Sequence, residues 1–114
     1  MGKSRIYENP TDCPVTHTLT IIGGRWKPII LSTLMGKRLR FGKLTIFMPT
    51  ISRKILTEQL KELEATGLIL REEFAESPPR VEYSLTKKGE TVMPIIIAMA
   101  EWGKTEGKDI RVAP

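Results

Sequence analysis

At 114 residues and 40% hydrophobic, the chain holds one domain with a compact core, part of which a second subunit would cover. It contains no apolar run of the roughly 18–20 residues that a membrane span requires, and its single cysteine, Cys13, excludes an internal disulfide and any cysteine-based metal cluster. The net charge is +5 and unevenly placed, with eight Lys/Arg against two acids in residues 1–50 and ten against eleven in residues 51–114. Such a concentration suits a polyanionic partner such as nucleic acid.

Residues 1–12 read as a flexible arm. Lys3, Arg5 and Glu8 stand where a secretory leader would carry its apolar stretch, so the expected location is cytoplasmic. Pro14 is a good first helical residue, which makes Cys13 an N-cap. Val15, Leu19 and Ile22 recur at helical spacing and share one face, and Gly23-Gly24 interrupts the helix. A second helix follows with Pro28 near its first turn and Trp26, Ile29, Ile30, Leu31 and Leu34 as apolar groups, ending at Gly36. A basic connector, Lys37-Arg38-Leu39-Arg40, leads to Phe41, Leu44 and Phe47, whose spacing predicts a short helix stopped by Pro49.

The best-defined helix is predicted over 52–66. Ser52 is the N-cap, and Ile51 and Leu56 form a hydrophobic staple across it. Gly67 follows as the C′ residue with Leu68 turned back onto Leu63. Ile55, Leu56, Leu60 and Leu63 make the buried face, with Arg53, Lys54, Thr57, Lys61 and Glu64 opposite. The period then changes to two. Leu68, Leu70 and Phe74 alternate with Ile69, Arg71 and Glu73, and Val81, Tyr83 and Leu85 alternate with Glu82 and Ser84, predicting two strands of a hairpin with Ser77-Pro78-Pro79-Arg80 at its tip. Thr86 caps a last helix over about 87–106, apolar on more than one face, with a kink expected at Pro94. Residues 107–114 are left as a tail.

The predicted fold is therefore mainly α with a small β-hairpin wing: a winged helix-turn-helix domain spanning 13–106. A helix fits the major groove of duplex DNA, and its positive N-terminal end should lead toward phosphate. The charge agrees, since residues 52–57 carry Arg53 and Lys54 while residues 58–66 carry Glu58, Glu62 and Glu64 against Lys61. There is no nucleophile–base pair, metal-ligand spacing or phosphate loop, so an enzyme is not expected and no cofactor is called for. An RNA-binding or protein-interaction module on the same fold is the alternative.

The sequence resembles the HxlR-type family of bacterial winged helix-turn-helix regulators. The resemblance rests on Cys13-Pro14, Ile22-Gly23-Gly24-Arg25-Trp26-Lys27 and Arg40-Phe41, then on Ile51-Ser52, Leu56-Thr57, Leu60, Leu63 and Gly67-Leu68-Ile69. It continues through Pro78-Pro79-Arg80-Val81-Glu82-Tyr83, Leu85-Thr86 and Gly89, covering about residues 12–105. It implies a homodimer joined through the first and last helices, a recognition helix at 52–66 and a wing at 77–80. Lys43 departs from an acid common in relatives. On this basis Ser52, Arg53, Lys54, Thr57 and Lys61 are candidate contacts to double-stranded DNA from the recognition helix. Lys37, Arg38, Arg40 and Lys43 are candidates for phosphate. Arg80 is either a backbone or minor-groove contact or the partner of a strand carboxylate. Cys13, at the position of the family's thiol sensors, is the candidate redox-sensing residue, responding to an oxidant or small effector. His17 and Trp26 read as structural.

Overall fold

The computed structural model describes residues 7–106; the start of the expected arm and the whole of the expected tail at 107–114 lie outside them. A 3-10 turn, Pro10–Asp12, is capped by Asn9, whose carboxamide oxygen accepts from the Thr11 amide at 3.0 Å. Then come α1 (Pro14–Ile22), α2 (Lys27–Leu34), β1 (Arg38–Leu39), α3 (Phe41–Phe47), α4 (Arg53–Ala65), β2 (Ile69–Phe74), β3 (Arg80–Leu85) and α5 (Lys87–Glu106). Pro14 and Pro28 fall in the first turns of α1 and α2, where a missing N–H leaves nothing unpaired. The architecture is the winged helix-turn-helix predicted from the sequence.

Helix α4 has the ends its sequence specifies. Ser52 Oγ accepts from the Ile55 amide at 3.0 Å. At the other end Gly67, at φ +80°, lets the amides of Gly67 and Leu68 turn back to the carbonyls of Glu64 and Leu63, each at 3.0 Å, which is the Schellman arrangement. Leu56, Leu60 and Leu63 are buried as expected. Ile55 is not: one residue from Leu56, it is turned about 100° around the helix from the stripe and stays exposed.

The sheet differs from a simple hairpin. Two residues of the basic connector form β1, which pairs antiparallel with β3 (Arg38 opposite Ser84, Leu39 opposite Tyr83) and makes the strand order β1-β3-β2. Leu39 and Tyr83 pack together against the core, and that burial holds so short a strand. In β2 the inward residue is Ile69, fully buried, whereas Leu70 is 46% exposed. The expected alternation was therefore one residue out of phase. Because direct partners share a face, Ile69, Tyr83 and Leu85 look inward. Arg38, Leu70, Glu72, Phe74, Arg80, Glu82 and Ser84 share the outer face.

Helix α5 runs unbroken across Pro94 and seats Val92, Met93 and Ile96 on Ile22, Ile30, Leu31 and Leu34. Its start is stitched to the end of α4. Thr86 Oγ1 donates to the Gly67 carbonyl at 2.6 Å and accepts from the Gly89 amide at 3.0 Å, while Lys88 Nζ donates to the Thr66 carbonyl at 2.7 Å. Gly89 is fixed by the same closeness, since any Cβ there would run into the Leu68 carbonyl oxygen.

Candidate nucleic-acid interface

Helices α3 and α4, separated by Met48–Ser52, form the helix-turn-helix. Arg53, Lys54, Thr57 and Lys61 are all exposed. Lys54 and Lys61 lie on the side of α4 away from the buried Leu56, Leu60 and Leu63, and Thr57 on its flank, whereas Arg53, three residues before Leu56, is in line with that stripe and is exposed because it stands at the helix's first residue. No acidic residue lies in the first turn, so the positive end of the helix adds to two cations there. The hydroxyl of Ser52 is engaged as the cap and sits at the same tip. The Arg53 guanidinium lies 4.7 Å from the centre of the Phe41 ring.

Below that tip, Arg40 immediately precedes α3 and Lys43 lies in its first turn; both are exposed, and neither makes an ion pair among the described residues. Lys37 reaches over Phe47 at 5.1 Å. The other two cations of the expected backbone-contact set are differently placed. Arg38 faces Glu72 at 3.5 Å and Glu82 at 3.9 Å, and Arg80 faces Glu82 at 3.2 Å and pairs with Glu76. Glu72 and Glu82 stand directly opposite each other on β2 and β3, an unfavourable like-charge pair that Arg38 and Arg80 flank on either side. Buried Glu72 Oε1 and Arg80 Nε lack an aligned hydrogen bond, so Coulomb attraction holds this group together. The alternative raised for Arg80, pairing with a strand carboxylate, is the arrangement present.

One polar contact had no sequence signal. Lys27, at the start of α2, is buried and its Nζ lies 2.6 Å from Glu62 Oε1 of α4. A lysine after Trp26 gives no hint of burial, and its partner is 35 residues away.

Cys13 occupies the N-cap position of α1, half-buried and without a side-chain capping hydrogen bond. The amide of Thr16 chiefly, then the Thr16 hydroxyl and the Val15 amide, hold its thiol below the usual cysteine range, against a smaller opposing effect of burial. His17 is exposed, Trp26 packs against the core, and no group of three His, Cys, Asp or Glu is placed to hold a metal among the described residues. None of the described helices is long and apolar enough to cross a membrane.

A helix-turn-helix with exposed cations at the start of its second helix, flanked by a hairpin, is the architecture of DNA-binding transcriptional regulators. The chain belongs to the HxlR-like helix-turn-helix family, whose profile matches residues 21–110. It is 45% identical over 103 residues to the uncharacterized HTH-type transcriptional regulator YybR of Bacillus subtilis (strain 168), covering 90% of this chain and 82% of that one. It is also 48% identical over 95 residues to an uncharacterized HTH-type transcriptional regulator of Methanothermobacter thermautotrophicus, covering 83% of this chain and 72% of that one. Among solved structures it is similar to the redox regulator HypR in its reduced form (TM-score 0.81, 43% identity, 85% of this chain and 95% of that one). The oxidized form of HypR gives a TM-score of 0.78 at 45% identity, over 82% and 96% of the two chains. The chain is a transcriptional regulator and not an enzyme.

Proposed function

We propose that the chain binds duplex DNA sequence-specifically as a homodimer, with α4 in the major groove and the β2–β3 wing over the flanking backbone or minor groove. The observation that carries this reading is the outer face of α4. Lys54 and Lys61 stand exposed there with Thr57 on the flank, Leu56, Leu60 and Leu63 are buried on the other side, and Arg53 extends the exposed set at the N-terminal tip, which is the division a helix needs to lie in a groove and rest on its own domain. Arg40 and Lys43 supply phosphate contacts beside it. A homodimer is favoured by the apolar groups that the single chain leaves open. Val15 is 67% and Trp102 70% exposed, with Leu19 on α1 and Ile95 and Met99 on α5 also uncovered. Ile95, Met99 and Trp102 fall on one stripe. A patch of this kind marks an interface, and a two-fold pair would set two recognition helices about one DNA turn apart. The protein would work in the cytoplasm, beside the DNA it reads.

Sedimentation at micromolar concentration and binding to genomic duplex fragments over a salt series test the reading together. A dimer, and a Kd that rises steeply with salt and differs among fragments, are expected. A monomer alone, equal affinity for all fragments, or preference for structured RNA would overturn it.

Cys13 adds a regulatory reading. Its thiol is held low at the N-cap of α1, beside the open face of Val15 and Leu19, and a similar protein is a redox regulator with reduced and oxidized forms. With one cysteine per chain, an oxidant would have to join two subunits, or link Cys13 to a small thiol. An electrophile would alkylate it.

A further inference from the structure

All three phenylalanines of the chain lie beneath a cation: Phe47 under Lys37 at 5.1 Å, Phe41 under Arg53 at 4.7 Å and Phe74 under Arg80 at 4.3 Å. Contacts within about 6 Å of a ring centre that matter energetically occur roughly once per 70–80 residues. Here three rings have a cation within that distance, one each at the connector, the recognition helix and the wing.

The three differ in what the cation has left to offer. A guanidinium resting on a ring uses its face and keeps its in-plane N–H groups for hydrogen bonds. Arg80 gives those groups to Glu76 and Glu82. Arg53 faces no carboxylate within ion-pair distance among the described residues. It is exposed and is the first residue of α4. The ring under it is anchored, because Phe41 opens α3 and packs against the core. An arginine has many rotamers to lose on binding, and a support that restricts them beforehand lowers that loss.

We propose that Phe41 is a specificity-determining positioning residue, whose ring holds the Arg53 guanidinium at the tip of α4 with its N–H edge free for the paired contact to O6 and N7 of guanine. The paired contact is the one by which an arginine distinguishes guanine from other bases. The inference rests on the reading of α4 as the recognition helix.

The wild-type protein gives the first test. Arg53 side-chain protons over a phenyl ring are shifted upfield in the NMR spectrum, and Phe41→Leu abolishes the shift; no upfield shift in the wild type overturns the proposal. Next, wild-type protein enriches bound duplexes from a randomised pool. Affinities are then measured on the enriched duplex, on versions altered one base pair at a time, and on a random-sequence duplex. Phe41→Leu is expected to lower discrimination two- to five-fold at the same guanine where Arg53→Ala does, with unchanged affinity for the random duplex. Phe41→Tyr restores it, and Phe41→Leu has no further effect in the Arg53→Ala background. Phe41→Met replaces Phe41→Leu if the latter does not fold. An equal loss on all duplexes, or the same loss in the Arg53→Ala background, overturns the role of Phe41 and leaves the DNA-binding reading standing. Enrichment of no sequence by the wild type removes that reading, and this inference with it.

Discussion

Replacing Glu62 by alanine is expected to destabilise the protein more than replacing Lys27 by methionine, even though Lys27 is the buried partner of the pair. The Lys27 side chain is 10% exposed and that of Glu62 55%, with 2.6 Å between the charged atoms. Removing the carboxylate leaves an ammonium with little water and no counter-charge. Breaking a fully buried pair in this way costs about 3–5 kcal/mol. Water entering through the space Glu62 vacates reduces that to about 2–3 kcal/mol. Methionine in place of Lys27 keeps most of the apolar stem, and the half-exposed Glu62 carboxylate simply rehydrates. It also removes a cation from the first residue of α2, where the helix dipole opposes it. The net change should stay within about 1 kcal/mol of zero. Urea denaturation at fixed protomer concentration measures both, since the proposed dimerisation would tie stability to concentration. The Glu62→Ala midpoint should fall by about 1–2 M with the slope unchanged, and the double variant should resemble Lys27→Met alone. A Lys27→Met variant as unstable as Glu62→Ala would refute the reasoning, because it would mean that the lysine contributes through packing that methionine cannot replace.

Gly89→Ala should destabilise by about 2–3 kcal/mol, since the new Cβ meets the fixed Leu68 carbonyl; a thermal midpoint equal to wild type would contradict the close packing of α5 on the start of β2. Arg40→Ala should weaken binding to every duplex alike and flatten the salt dependence, while Lys54→Ala should relax preference at particular base pairs by about 1–3 kcal/mol. The same uniform loss in both variants would refute the division of labour between connector and recognition helix. For Cys13, whose thiol sits below its usual range, the iodoacetamide rate should rise with pH to a plateau whose midpoint lies below that of free cysteine. Thr16→Ala should move the midpoint up only part of the way, because the main-chain amide remains; a wild-type midpoint matching free cysteine would refute the thiolate stabilisation. Mild oxidant should alter DNA affinity in the wild type and not in Cys13→Ser, and an identical response of the two would make Cys13 structural.

What the sequence made legible was whatever short-range chemistry decides. The cap at Ser52, the turn at Gly67 and the buried stripe Leu56, Leu60, Leu63 are local, and all three stand as read. Lys54 and Lys61 are exposed for the same reason, being opposite the buried stripe, whereas Arg53 is in line with that stripe and is exposed only because it is the first residue of the helix. The misses are long-range. Two residues of connector become β1 only because β3, more than 40 residues later, offers a free edge. Leu68-Ile69-Leu70 carries no alternation, so the helices beneath β2, rather than the local pattern, set which leucine faces out. Arg38 reads as a phosphate contact in a basic run, yet Glu72 and Glu82 claim it from the next two strands.

The stitching of Thr86, Lys88 and Gly67 makes the C-terminal end of α4 a pivot. A helix of 13 residues is about 20 Å long, so a tilt of about 10° about that end displaces the tip by about 3.5 Å. A base contact tolerates only about 0.5 Å of error. Arg53 stands at the far end of this arm, and α5, which carries much of the open apolar face, is joined at the fulcrum. In the proposed dimer, a reorientation of the α5 helices between the two subunits would thus be magnified on its way to the DNA. The residues proposed to read bases would also be those that move most.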